Sequence, residues 1–338
     1  MDTLDEMSRR PITHSVHHQK FRNQINRAIK GDPWRTDSFS TLVQRNAVEL
    51  GLEVRCGKCS SWSWFALNQL GYKLQCALCL RATPFPITDP GRTENARWAY
   101  RVVGPFALPD YARGGYASAL TLRCFSNVIG LHEARTTWCA GRELPLSAGR
   151  KVETDFVLWY QRGALTRDGQ DAPTDIVFGE AKSFGKDTFK PEDVANLKAL
   201  AEEFPGALIV FATMRQPEEL QQTERSAIRK LALWGRESIK AELRTRAPVI
   251  VLTGIELFAG FGLRDAWKNA GGRHAEFGQS DWLEAGNLRL LADLTQQLYL
   301  DLPSYQTWCE SKWSRRDARR TSRAGTRHVP AAAVEPIP

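Results

Sequence analysis

The sequence predicts an α/β protein with a mixed central sheet flanked by helices, preceded by a small module organised around cysteines. Three observations carry this expectation. Between residues 113 and 260, strand-like and helix-like segments follow one another in an order that builds one sheet. Upstream lie two Cys-x-x-Cys pairs within residues 54–85. The 338 residues are 42% hydrophobic and 25% charged, an ordinary composition for two or three compact units with a sizeable core.

Residues 1–53 are polar at first. Then Phe39, Leu42, Val43, Ala47 and Leu50 recur at spacings of three and four, which predicts an amphipathic helix stopped by Gly51. Residues 86–112 hold Pro86, Pro90, Pro105 and Pro109 with Gly91 and Gly104, and read as a linker. In the unit at 113–260, a helix is expected at 116–125 and strands at 136–144, 152–160 and 175–181. A helix with acidic residues in its first turn follows at 191–204, then a buried strand at 207–213. A long helix at 217–244 and a strand at 249–257 complete the unit. Residues 261–313 form a C-terminal helical extension, with a helix at 287–300, and 314–338 a basic disordered tail.

Lys and Arg number 46 against 38 Asp and Glu, a net charge of +8 that leans toward polyanionic partners. Part of the excess lies in one run, where Lys312, Arg315, Arg316, Arg319, Arg320, Arg323 and Arg327 face Asp317 alone. The polar N-terminus carries no apolar signal segment, and the longest apolar runs, at 207–212 and 249–252, are too short to span a bilayer. Seven cysteines, an odd number with four in close pairs, argue against a disulfide framework and for a reducing, cytoplasmic setting.

Cys56-Gly-Lys-Cys59 and Cys76-Ala-Leu-Cys79 enclose two residues each and are separated by sixteen. A two-residue spacer turns both thiolates of a pair toward one ion, and Gly57 eases the turn. Four thiolates then make a closed tetrahedral zinc site, so 54–85 reads as a zinc ribbon. So small a module cannot build much core, and metal binding supplies folding energy on the order of 10 kcal/mol. Zinc that only holds the fold is one reading. The other is a ribbon that touches nucleic acid or protein, since Arg55, Lys58, Lys73 and Arg81 accompany Trp62, Trp64, Phe65 and Tyr72. Several of those aromatics must serve as the ribbon's own core.

In Asp175-Ile-Val-Phe-Gly-Glu-Ala-Lys182, alternation puts Ile176, Phe178, Glu180 and Lys182 on one strand face. A carboxylate and an amine on an internal strand are costly unless paired or coordinated. The preceding strand, Val152-Glu-Thr-Asp-Phe-Val-Leu-Trp-Tyr160, carries Asp155 on a face with Glu153, Val157 and Trp159. A loop of about fourteen residues joins the two strands as a hairpin, which brings Asp155 beside Glu180 to share a divalent ion.

Asp155 followed by Glu180-Ala-Lys182 resembles the PD-(D/E)XK, or restriction-endonuclease-like, nuclease superfamily. The helix beginning Pro191-Glu-Asp-Val and the strand Leu208-Ile-Val-Phe-Ala-Thr213 suit that family's order of elements, and the resemblance covers residues 113–260. It implies a restriction-endonuclease-like core and phosphodiester hydrolysis with Mg²⁺ or Mn²⁺. Asp155 and Glu180 would be ligands, with the Ala181 carbonyl as another. Lys182 would orient or deprotonate the attacking water and steady developing phosphate charge. The implied partner is nucleic acid, DNA before RNA, in a bacterial restriction or phage-defence setting with possible protein partners of a defence complex.

The chain departs from the family pattern in two places. Thr154, not proline, precedes Asp155, and the helix at 116–125 has no acid, which leaves Glu133 or Glu153 as auxiliary groups. A second Glu-x-Lys, Glu310-Ser-Lys312, lacks strand character and reads as surface. Gly260-Phe-Gly262 lacks the lysine of a phosphate loop, and His14, His17, His18 and His132 read as solvated or structural. Cys124, Cys139 and Cys309 read as ordinary thiols. The alternative function is a zinc-containing nucleic-acid-binding or scaffold protein on a nuclease fold that does not cut.

Overall fold

The computed structural model describes residues 2–9, 15–28, 38–85, 95–129, 134–162, 174–183, 185–238, 245–259, 262–279 and 288–324. The chain forms two compact units, Met1–Tyr116 and Ala117–Pro338.

The first unit contains α1 (Asp2–Ser8), β1 (Ser15–His17), α2 (His18–Ala28), α3 (Ser38–Gln44), β2 (Val48–Arg55), β3 (Trp62–Ala66), β4 (Lys73–Gln75), β5 (Ala82–Pro84), β6 (Ala96–Val102) and α4 (Pro109–Arg113). An antiparallel sheet runs in the order β1-β6-β2-β3, and β4 and β5 pair as a separate hairpin.

The helix expected through Leu50 stops at Gln44. Asn46 takes the left-handed conformation at φ 53°, its amide donates to Val43 O at 3.0 Å and the Ala47 amide to Leu42 O at 2.9 Å. That pair of bonds is a Schellman closure, so Ala47 and Leu50 belong to the strand approach. Gly51 is a mid-strand residue, not a helix stop: a Cβ there would lie 2.3 Å from Phe65 O and 2.4 Å from the Trp64 indole. The 86–112 linker also contains more structure than its prolines suggest, because β6 pairs with β2 from Ala96 to Val102. A boundary at residue 53 would cut β2. The strand backs two small cores, one with Leu4, Met7, Val16, Phe21, Tyr100 and Val102, the other with Leu52, Val54 and Leu74.

The second unit continues with α5 (Gly115–Ile129), β7 (Ala134–Pro145), β8 (Lys151–Arg162), β9 (Thr174–Lys182), α6 (Pro191–Glu203), β10 (Leu208–Thr213), α7 (Gln222–Gly235), β11 (Val249–Leu252), α8 (Gly254–Leu257), α9 (Leu263–Ala270), α10 (Gly272–Gly278), α11 (Leu288–Tyr299) and α12 (Tyr305–Ala324). Its sheet runs β11-β10-β9-β8-β7. The β7–β8 and β8–β9 pairs are antiparallel, and β9–β10 and β10–β11 are parallel, so the sheet is mixed. Every residue of β10 and β11 is buried, which accounts for their unbroken apolar sequences.

Three expectations are corrected here. The helix expected at 217–244 spans Gln222–Gly235, and Gly235 abuts the Ala247 backbone so closely that a Cβ would sit 2.0 Å from Ala247 O. The strand expected at 249–257 ends at Leu252 because Thr253 caps α8: its hydroxyl accepts the Ile255 amide at 3.3 Å, and Glu256 accepts the Thr253 amide at 2.7 Å. The basic run is helical through Ala324, not disordered from 314. Ser304 starts that helix by accepting the Thr307 amide at 3.2 Å, and the Ala, Arg and Lys content favours its extension. Residues 325–338 lie outside the described residues, as do Glu133, His132, His14, Gly260 and the loop at 163–173.

Gly179 is the close approach that seats β8 on β9. It pairs with Phe156, and a Cβ would meet the fully buried Phe156 ring at 2.0 Å. Gly179→Val is expected to lower stability by about 1–3 kcal/mol through overpacking. Gly185→Ala, with open space around it, should be neutral by comparison. Urea midpoints for the two variants check this, and equal midpoints would refute the packing account.

Candidate active site and metal centre

Cross-strand partners share a sheet face, and Trp159–Ile176, Val157–Phe178 and Phe156–Gly179 are the register pairs leading to the candidate site. Continuing that register by one step sets Asp155 opposite Glu180, on the same face. The ladder itself stops at Phe156–Gly179. Beyond it, β8 stays with β7 through Thr154 and Glu153, while β9 stays with β10 through Glu180 and Lys182. The two strands part in a fork bridged by side chains. The buried Thr154 hydroxyl donates to Gly179 O at 2.9 Å, and the Ala181 amide donates to Asp155 Oδ2 at 2.6 Å. Thr154 thus supplies a bond that a proline at this position has no group to make.

Lys182 Nζ donates to Glu180 Oε1 at 2.6 Å and lies 3.1 Å from Asp193 Oδ2. Asp193 belongs to the first turn of α6, where Pro191 fits the fixed backbone of a helix start and Asp193 also accepts the Lys190 amide at 2.8 Å. The acidic first turn favours the positive end of the helix dipole. Its second task, pairing with Lys182, had no signal in spacing alone. The loop leading into α6 is held from below: Glu224 accepts the Phe189 amide at 2.6 Å while engaging Arg215 at 2.6 Å in a buried ion pair.

The electrostatics show an excess of negative charge. Burial, then the charge of Asp155, pushes the Glu180 carboxyl up to about 7 although Lys182 opposes the shift. Burial also raises Asp155 above the usual carboxylate range, against the Ala181 amide and Lys182, with Glu153 and Asp193 adding repulsion. For Lys182, burial works against the charge, but Glu180 and Asp193 outweigh it and raise the ammonium above its ordinary value.

A stability prediction follows. Glu180 has its folded value raised above the unfolded one, so the native state holds more protons between about 4.3 and 7, and wild-type stability falls as pH rises through that window. Glu180→Gln removes the titration. Without divalent ions, its melting temperature relative to wild type should increase from pH 5 to pH 8. A difference that does not change with pH would refute the buried-charge account.

Of the other acids, Glu153 repels Asp155 through space. Glu153 is exposed, and Asp175 pairs with Arg289 at 3.1 Å, tying α11 to the other end of β9. Glu310 and Lys312 lie on α12, where Lys312 Nζ sits 4.6 Å from the Trp308 ring centre. Burial pushes the Cys124 thiol up to about 12.

In the first unit, the Sγ atoms of Cys56, Cys59, Cys76 and Cys79 all lie within 4.8 Å of one another. The Cys56–Cys79 and Cys59–Cys76 separations are 3.7 and 3.6 Å, matching the edge of about 3.8 Å implied by zinc–sulfur bonds of about 2.3 Å in a tetrahedron. The two turns repeat one geometry. Ser60 and Leu80 donate their amides to Cys56 O and Cys76 O at 2.9 and 3.0 Å, and both are left-handed, at φ 59° and 58°. Amides of Lys58 and Leu78 each reach the first thiolate of their pair at 3.4 Å. Burial opposes ionisation of Cys76, but amide and serine hydroxyl hydrogen bonds bring its thiol down to about 5. Four free cysteines so placed can hold a metal ion such as zinc. Among the described residues, they are the one group of three or more His, Cys, Asp or Glu donors gathered this tightly.

Among the described residues, no helix is long and apolar enough to cross a membrane. Comparison with protein-family models, curated proteins and solved structures finds no match for this chain.

Proposed function

We propose that this protein is a metal-dependent nuclease that hydrolyses phosphodiester bonds, of DNA before RNA. The observation that carries the reading is the fork between β8 and β9, where half-buried Asp155, Glu180 and Lys182 come together with surplus negative charge. The oxygen donors of Asp155, Glu180 and the Ala181 carbonyl suit Mg²⁺ or Mn²⁺, and the upward shift of Glu180 is the kind of strain that a divalent cation relieves. Bound there, the ion would supply Lewis acidity toward the phosphate and lower the pKa of water. Lys182 would orient the attacking water and stabilise the charge that grows on the phosphoryl oxygens. Asp193 would hold the Lys182 ammonium in place. The order of helix, three antiparallel strands, helix and parallel strand supports a restriction-endonuclease-like core. On the same analogy, the setting is bacterial restriction or phage defence in the cytoplasm. Zinc at the four cysteines would be structural.

A second reading has its own observation. Lys182 is engaged by both Glu180 and Asp193, and Asp155 by the Ala181 amide, so the site is already internally paired. That favours a nucleic-acid-binding scaffold on a nuclease fold without cleavage. Incubating the full chain with linear and circular DNA and with RNA, under Mg²⁺, Mn²⁺ or chelator, separates the readings. Cleavage that requires the added ion supports the nuclease, and no cleavage under either ion rejects it.

A further inference from the structure

The first unit carries a second chemistry on the sheet face opposite its two cores. The register aligns Arg55 with Trp62, aligns Glu53 with both Trp64 and Arg97, and sets Glu49 opposite Arg101. These side chains share one face. The even-numbered positions of β2 go the other way, with Leu52 and Val54 in the core and Phe65 packed against it. Trp64 lies across Gly51, whose missing side chain leaves room for the indole, and its Nε1 donates to Ala99 O at 3.1 Å. Arg101 stands 5.4 Å from the Trp64 ring centre and Arg97 4.3 Å from that of Trp62.

Glu53 explains why this is an ordered surface. Its side chain is only 3% exposed, and it accepts from the Ser15 hydroxyl and from Arg97 Nε at 2.5 Å. A buried carboxylate that fixes a half-exposed arginine over a tryptophan pre-organises a cationic aromatic platform. On this face Arg55 is exposed. Glu49 is the exposed acid on the face, since Glu53 is buried against its two partners. Arg55, Arg97 and Arg101 against Glu49 and Glu53 leave the face net positive by one charge, and flat indoles beside guanidinium groups suit bases that are free to stack.

We propose that this face binds an unpaired nucleic-acid strand, with Trp62 and Trp64 stacking bases and Arg55, Arg97 and Arg101 contacting the backbone. The inference concerns binding by the first unit alone and holds whether or not the second unit cleaves. A duplex, whose bases are already stacked on one another, gains only the phosphate contacts.

The test is anisotropy of a fluorescein-labelled dT15 strand and of a 15-base-pair duplex with the full chain, without added divalent ions. Wild type is expected to bind the single strand more tightly. Trp62→Ala should weaken single-strand binding by on the order of tenfold, with Trp62→Phe restoring most of it. Arg101→Ala should weaken binding and lower the salt slope by about 0.7 for one lost phosphate contact. Zinc content and melting temperature identify any variant that fails to fold, and Trp62→Phe keeps the test decisive in that case. Failure of wild type to bind dT15, tighter duplex binding, or unchanged affinity in folded Trp62→Ala and Arg101→Ala would overturn the proposal, and a lack of cleavage would not.

Discussion

Lys182→Ala is expected to abolish metal-dependent cleavage while leaving nucleic-acid affinity nearly unchanged. The ammonium sits 2.6 Å from Glu180 and 3.1 Å from Asp193, so its position is set by two carboxylates on different elements. Its electrostatic effect would fall on phosphate charge that develops in the transition state, and loss of such a group commonly costs about 10²- to 10³-fold in rate. Affinity for nucleic acid would rest on many phosphate contacts and should change little. Lys182→Arg keeps the charge but replaces a compact ammonium with a planar fork, and should recover only part of the rate. Single-turnover rates with binding isotherms for the three proteins make the check. A wild type that cuts, with Lys182→Ala cutting equally fast, would place the chemistry elsewhere in the chain.

Removal of zinc is expected to unfold the cysteine hairpin without disabling the second unit. The β4–β5 hairpin has three-residue strands and rests on the Leu52, Val54 and Leu74 cluster, too small a core to hold it alone. Metal binding in modules of this size supplies on the order of 10 kcal/mol. Cys76→Ser should have the largest effect of the four substitutions. Cys76 is only 3% exposed, and its sulfur accepts from the Leu78 and Cys79 amides and from Ser63 as well as lying 3.6 Å from Cys59. Metal analysis should find one zinc per wild-type chain and less in the variant. Hydrogen exchange should accelerate across residues 56–85 and remain protected in β9 and β10. Stoichiometric zinc in Cys76→Ser, or none in wild type, would contradict this account.

The second unit was largely legible in the sequence because its strands are internal and its helices amphipathic. Apolar runs such as Leu208–Thr213 admit one reading once a helix precedes them. The first unit was not. Its β6 carries Arg97, Trp98 and Arg101 between proline-rich flanks, and local pattern does not reveal that it will pair with β2 far away in sequence. The short helix before β2 was over-extended because Ala47 and Leu50 happen to continue its period, whereas Asn46 stops it through backbone geometry. Thr253-Gly-Ile-Glu256 is a capping signature that ends the strand although the apolar sequence continues past it. At the candidate site, the alternation of β8 and β9 was enough to align Asp155 with Glu180. Asp193 was missed because its position over Lys182 depends on how α6 docks, a tertiary fact with no periodicity.

The fork between β8 and β9 has a consequence for descent. Asp155 closes the gap by accepting the Ala181 amide, and Asp193 starts a helix by accepting the Lys190 amide. Both acids would remain under selection for architecture in a lineage that had lost catalysis. Lys182 has no comparable backbone duty: its contacts here are with Glu180 and Asp193, whose charges could themselves drift away. In diverging copies of this gene, an intact Asp155 would therefore say little about retained chemistry, and replacement of Lys182 would be the earlier mark of its loss.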